Sequence, residues 1–268
     1  MDPIRLNKFL VDAGVCSRRE ADRAIQDGRV TVNGQRAVLG QKVHATDTVK
    51  VDRKIVGKKH GKRVYIAFHK PVGIICTSDP KAKDNIIDAV GYPERVFHIG
   101  RLDVASSGLI LLTNDGDIVN KILRAEGKHE KEYIVKTQEQ IDDAFLKAMR
   151  MGVDIGDERN TMPAKVAKMG PQMFSITLVE GRNRQIRRMC EALKRTVVGL
   201  KRIRIMHIKL DDIPPGKWRL LTPAEEKTLL ATANGRGDAE GGPRWAHRER
   251  SDSSTQRGPR RQDPATPV

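Results

Sequence analysis

Cysteine is scarce: Cys16, Cys76 and Cys190 are the only three in 268 residues. An odd number at such wide spacing argues against a disulfide framework and for a reducing compartment, the cytoplasm. With three Cys and seven His, the chain has no Cys-x-x-Cys and no His-x-x-x-His pair. No dedicated metal site is therefore expected. Long apolar runs are missing too. Nothing approaches the ~18 residues of a spanning helix, and with aromatics at 4% no basic helix carries a bulky aromatic face for a membrane surface. The opening Met1-Asp2-Pro3-Ile4-Arg5 lacks the apolar core of a signal peptide. Acidic residues are outnumbered, 34 against 50 Lys plus Arg, for a net charge of +16. Such a surplus suits a polyanion, nucleic acid first, although a merely soluble basic protein would share it.

The length allows about two domains. Residues 3–52 read as a small module. Leu6, Phe9, Leu10 and Ala13 mark an amphipathic helix stopped by Gly14. Ser17-Arg18-Arg19-Glu20 is a capping box for a second helix burying Ala21, Ala24 and Ile25. Val30-Thr31-Val32 before Asn33-Gly34 is a hairpin signal, with a further strand at Thr48 to Val51. Arg18, Arg19, Arg23 and Arg29 around the second helix suit backbone-phosphate contacts, or a solvated face. Residues 53–63, rich in Lys, Arg and Gly, read as a basic, mobile linker. From 64 to 230, strands (Val64 to Phe68, Phe174 to Leu178, Ile203 to Leu210) interleave with helices near 117–125, 139–150 and 183–195. This predicts an α+β domain on a mainly antiparallel sheet. Residues 232–268 are poor in apolar side chains and are expected to be disordered.

Three segments carry chemistry. Asp103 stands in the polar loop Gly100-Arg101-Leu102-Asp103-Val104-Ala105-Ser106-Ser107-Gly108, before the apolar run Leu109 to Leu112. A carboxylate at a loop mouth on a rigid strand is placed like a nucleophile or general base; closing an Asx-turn is the competing role. In Gly181 to Cys190, the stripe Ile186, Met189, Cys190, Leu193 predicts a helix packed on the sheet. Steps of about 100° put Arg184, Arg188 and Arg195 opposite that stripe, as phosphate contacts, and Arg187 on its border. A border arginine can make a partly desolvated ion pair, or simply solubilise the helix. Lys131-Glu132-Tyr133-Ile134-Val135 reads as a strand whose Tyr133 can stack on a nucleobase, worth about 1–3 kcal/mol, or fill a core.

The first module, through Arg5-Leu6-Asn7-Lys8-Phe9-Leu10, Cys16 to Ala21 and Gly28 to Gly34, resembles the RNA-binding domain of ribosomal protein S-four. Gly100-Arg101-Leu102-Asp103, Ser107-Gly108-Leu109 and Leu112-Thr113-Asn114-Asp115-Gly116, with His69-Lys70-Pro71-Val72-Gly73, resemble the pseudouridine synthases of the RsuA/RluB/RluE/RluF family. Within it, His129 to Tyr133, Arg202 to Met206 and Ile213 to Arg219 are most similar to the F-type members acting on 23S rRNA. The resemblance implies Asp103 as essential aspartate, Tyr133 as active-site tyrosine and Arg187 as partner of the aspartate. It implies Leu200 packing beneath the tyrosine, Arg101 filling the space of the displaced nucleotide, and Lys70 as the motif lysine. Arg18, Arg19, Arg23, Arg184 and Arg188 are the expected RNA contacts. The implied activity is conversion of a uridine in 23S rRNA to pseudouridine, with tRNA an open second substrate, by a cytoplasmic monomer needing no cofactor, metal or membrane. A non-catalytic RNA-binding factor in ribosome assembly is the competing reading.

Overall fold

Helical spacing and one capping box build the first module. In the computed structural model, which describes residues 3–57, 62–79, 81–123 and 129–234, it runs β1 (Ile4–Arg5), α1 (Leu6–Asp12), α2 (Arg18–Gln26), β2 (Val30–Val32), β3 (Gln35–Arg36), β4 (Lys42–Val43), β5 (Val49–Val51) and β6 (Lys54–Val56). Ser17 and Glu20 form the expected capping box, each side chain bonded to the other residue's backbone. Leu6, Phe9 and Leu10 of α1 pack on Ala21, Ala24 and Ile25 of α2 over Val30, Val32 and Val49. Asn33 and Gly34, both at positive φ, turn β2 into β3 as the sequence predicts.

The stretch expected to be a linker from residue 53 begins instead with a strand. Asp52 and Arg53, both at positive φ, make a tight turn, and β6 returns along β5 in antiparallel register. Lysine and arginine density masked the short apolar pair Ile55-Val56, which this hairpin carries. Residues 58–61 of the expected linker, and 235–268 of the expected tail, lie outside the described residues.

The second part comprises β7 (Tyr65–Lys70), α3 (Ile86–Val90), β8 (Phe97–Ile99), β9 (Ser107–Thr113), α4 (Gly116–Leu123), β10 (Lys131–Thr137), α5 (Asp143–Met151), β11 (Lys165–Gly170), β12 (Met173–Leu178), α6 (Gln185–Ala192), β13 (Val197–Ile205), β14 (Ile208–Lys209), β15 (Trp218–Leu220) and α7 (Pro223–Ala233). Its sheet runs β11-β12-β10-β13-β9-β7-β15, with β14 beside β13 and β8 beside β9. The β13–β9 pairing is parallel and short, Lys201 facing Ser107 and Arg202 facing Gly108; the other pairings in this sheet are antiparallel. The fold is thus α+β on a mainly antiparallel sheet. β7 is buried along its length. Tyr65 and Ala67 face one core, with Leu109 and Leu111 of β9, while Ile66 and Phe68 face another, with Ile110 and Leu112. A strand covered on both faces has no polar side to show, hence the continuous apolar runs in the sequence.

Three boundaries differ from expectation. The strand expected over 203–210 is two: β13 ends at Ile205, Met206 turns at positive φ, and β14 folds back on it. The helix expected from 139 starts at Asp143, because the Asp142 carboxylate accepts from the Phe145 N–H at 2.7 Å and fixes the start there. The helix expected over 183–195 is confined to Gln185–Ala192, between the left-handed residues Arg184 and Lys194. Helices α3 and α7 were not anticipated. α7 carries a capping box of Thr222 and Glu225 with Pro223 following the cap, and it runs through Thr232 and Ala233, residues assigned to the tail or its edge. Among the described residues no helix is long and apolar enough to cross a membrane.

Candidate active site

The loop from β8 to β9 is folded around Asp103 by buried cations. Lys70, at the end of β7, is 0% exposed, and its ammonium donates to the carbonyls of Ser106 at 2.8 Å, Pro71 at 2.9 Å and Val104 at 3.4 Å. Three donors meet three acceptors, so the charge is solvated by loop backbone in place of water. Burial pulls the Lys70 pKa down, while Cys76 and Asp103 act the other way. The Gly73 N–H donates to the Val104 carbonyl at 2.9 Å, and the Ser106 N–H to that of Asp103 at 3.0 Å. Arg187, on α6, closes the other side: it donates to the carbonyls of Ala105 at 3.0 Å and Val197 at 3.1 Å.

Asp103 and Arg187 are brought together as expected, but loosely. Arg187 Nε is 3.8 Å from Asp103 Oδ2, with side chains 14% and 31% exposed. That Nε is buried without a hydrogen-bond partner. Burial, with Arg184 beside it, lowers the Arg187 pKa, against the opposing pull of Asp103. The site is therefore open to solvent at the carboxylate and buried at the Nε that faces it.

Arg184 does not stand on the outer face of a helix. It is the left-handed residue capping α6, and its exposed guanidinium stands at the cavity mouth, Nη1 at 3.8 Å from Asp103 Oδ2. Arg188, expected at a phosphate, is tied within the protein to Asp157 at 2.6 Å and to the Ile155 carbonyl. Arg18, Arg19 and Arg23 are exposed on α2, and among the described residues none has an ion-pair partner within 4.0 Å.

A cavity of about 290 Å³ opens beside the carboxylate, lined by Arg101, Asp103, Tyr133, Arg184, Leu200 and Arg202 among others. Tyr133 and Leu200 belong to one core cluster, and Leu200 sits opposite Val135, one step along the same face from Tyr133. Sequence reasoning missed two residues here, Lys131 and Arg202, both lining the cavity. Lys131 lies two residues before Tyr133, on the same face, which simple alternation could have shown. Arg202 could not be found that way. The register of β10 with β13 shifts between Glu132 and Tyr133, so Lys131 faces Ile205 while Tyr133 faces Arg202. This bulge at Ile203 turns Arg202 and Ile205, three positions apart, to one side.

Residues 64–192 match the family model described as RNA pseudouridylate synthase, and residues 4–56 match the S4 domain. A Salmonella typhi protein named dual-specificity RNA pseudouridine synthase RluF is 49% identical over 232 residues, which is 86% of this chain and 80% of the relative. The chain belongs to the RNA pseudouridine synthase family. The synthase is also 37% identical to ribosomal large subunit pseudouridine synthase B of Bacillus subtilis, over 86% of this chain and 97% of the relative. A solved pseudouridylate synthase superimposes with a TM-score of 0.62 at 30% identity, covering 84% of this chain and 99% of the other. This synthase is accordingly an isomerase acting on uridine in RNA, with an S4 module to bind the RNA, and not a docking factor that merely keeps the fold.

Proposed function

We propose that Asp103 is the catalytic carboxylate of this synthase, that Arg187 is its partner, and that Tyr133, over Leu200, receives the extruded uracil. The observation that carries this reading is the shared cavity: Asp103 and Tyr133 both line it, and Arg187 Nε stands 3.8 Å from the carboxylate. The volume is near the small end of the range for ligand pockets, suited to one base. Extrusion costs roughly a few kcal/mol of stacking; Arg101, at the cavity rim, fills the space the nucleotide leaves, and phosphate contacts offset the rest.

The isomerisation breaks the bond between N1 of uracil and C1′ of ribose, and the bonding pair stays on the base. Asp103 either attacks C1′ or removes the neighbouring C2′ proton. The base then turns and C5 bonds to C1′, either as the Asp103–C1′ bond breaks and frees the carboxylate, or as the protonated Asp103 returns its proton to C2′; the C5 proton then leaves, and N1 takes up a proton. Substrate and product are isomers, so atoms and charge balance.

The substrate is a uridine of 23S rRNA, supported by the relative named for the large subunit. A second RNA, a tRNA, fits the relatives named as dual-specificity enzymes. The synthase works as a cytoplasmic monomer. Asp103→Ala should form no pseudouridine in 23S rRNA from cells lacking the gene, with RNA affinity within about twofold of the parent, because a carboxylate offers no attraction to phosphates. Product formation at the parent rate would remove Asp103 from the chemistry. Mapping pseudouridines in total RNA with and without the gene identifies the target uridine.

A further inference from the structure

Two cations, Arg202 and Lys131, line the cavity. Arg202 is 4% exposed; its Nε donates to the Leu109 carbonyl at 2.7 Å, yet one terminal nitrogen, Nη2, is buried with no partner. Its guanidinium carbon lies 5.9 Å from the centre of the Tyr133 ring. Lys131 donates to the His129 carbonyl at 2.9 Å. Among the described residues neither cation is within 4.0 Å of a carboxylate. Two positive groups held on one apolar wall, between Leu178, Leu200 and Ile205, repel each other and leave donors unused. A protein that keeps such an arrangement has a use for an anion there.

We infer that Lys131 and Arg202 form an electrostatic cradle for the uracil that departs as an anion, donating to its carbonyl oxygens while the ring turns. The inference rests on the reading of Asp103 and Tyr133 as catalytic. When the N1–C1′ bond breaks, the electron pair retained by the base spreads from N1 onto O2 and O4. The negative charge grows only in that step, so cations aimed at it favour the transition state over the bound uridine. The cradle also keeps the detached base from leaving before C5 is presented. Asp103, with Arg184 and Arg187 near its carboxylate, attends to the sugar. The site thereby separates its charges: carboxylate toward ribose, cations toward base.

Lys131 offers the sharper test, because Arg202 is also bonded into the β9 backbone. The titratable and charged groups lining the cavity with Lys131 are His129 just before its strand, Tyr133 on the strand, Arg202 from β13, Arg101 and Asp103 from the β8–β9 loop, Glu180 and Arg182 after β12, and Arg184 at the α6 cap. Burial, and then Arg202, hold its pKa down at about 8. Its charge is present below that value and is lost as pH rises through it. The substrate is 23S rRNA from cells lacking the gene. Lys131→Met should slow single-turnover conversion about 100-fold, the scale of one lost oxyanion donor, with RNA affinity and melting temperature unchanged. Lys131→Arg should restore the rate to within about tenfold, since the charge returns on a different geometry. The kcat/KM of the parent should fall above pH 8, and that fall should vanish in Lys131→Arg, which stays charged. A Lys131→Met variant converting RNA at the parent rate, or losing rate only alongside affinity and melting temperature with no rescue by arginine, overturns the cradle. So does a Lys131→Arg profile that still falls as the parent does. If Asp103→Ala is inactive while Lys131→Met is unimpaired, the cradle alone is wrong; if Asp103→Ala is active, the catalytic reading fails first.

Discussion

Arg187 divides its guanidinium between two tasks. Its terminal nitrogens hold the carbonyls of Ala105 and Val197, while Nε waits 3.8 Å from Asp103 without a partner. A bound nucleotide that excludes water from the carboxylate strengthens this attraction, since screening falls as the site dries. Arg187→Ala should therefore cost both stability and rate. Losing the bonds to one exposed and one part-buried carbonyl costs roughly 0.5–1.5 kcal/mol each, read as a lower urea midpoint, and single-turnover conversion should drop at least about 100-fold as the charge partner disappears. Arg187→Lys returns the charge but not the fork, so rate should recover more than stability. Equal stability and turnover in Arg187→Ala would take the residue out of the site. The positions of Asp103 and of Arg187 were legible because each obeys a local rule, a polar loop before an apolar strand and a border place on a helical wheel. Arg184 and Arg188 were not. The left-handed turn at Arg184 removes it from the wheel, and the carboxylate that occupies Arg188, Asp157, belongs to a distant loop with no pattern of its own.

The elements that sequence periodicity placed well are those stabilised by their own neighbours: α1, α2 with its capping box, the Asn33-Gly34 hairpin, and the fully buried β7 and β9. Those it misplaced depend on what lies beside them. β6 exists because β5 offers an edge, and Met206 splits the expected strand because β14 can fold back on β13. The parallel seam of β9 and β13 belongs to this second kind, and it is where the two sides of the site join. Gly108, at φ +111, lies so close to β13 that an added Cβ would stand 2.2 Å from the Arg202 carbonyl oxygen and 2.5 Å from its nitrogen. Gly108→Ala cannot be absorbed by a side-chain movement, because the obstacle is backbone. The expected loss is roughly 3 kcal/mol or more, from overpacking combined with the positive φ, together with loss of conversion as Arg202 is displaced. An unchanged denaturation midpoint would show that the strands are not in this contact.

Over the whole molecule the surplus of +16 is not one uniform field. Arg188, Arg195 and Arg204 are engaged with Asp157, Asp142 and the pair Glu130 and Glu132, so they hold the synthase domain together. Arg18, Arg19 and Arg23 stay exposed on α2 and are available to phosphates. Replacing these three by glutamine should flatten the slope of log affinity against log salt by about 2 to 3, at about 0.7–0.9 per lost phosphate contact, without changing single-turnover conversion at saturating RNA. An unaltered slope would place the RNA elsewhere. The parallel seam has a further consequence, for synthesis. Arg202 reaches the Leu109 carbonyl across 93 positions of chain, so the strand bearing the aspartate loop emerges from the ribosome long before its partner strand exists. Until α6 and β13 have been made, the Asp103 loop lacks the guanidinium of Arg187 beside its carboxylate and the bond from Arg202 to its strand. The two halves of the cleft are thus made at different times and meet only when the later one folds back.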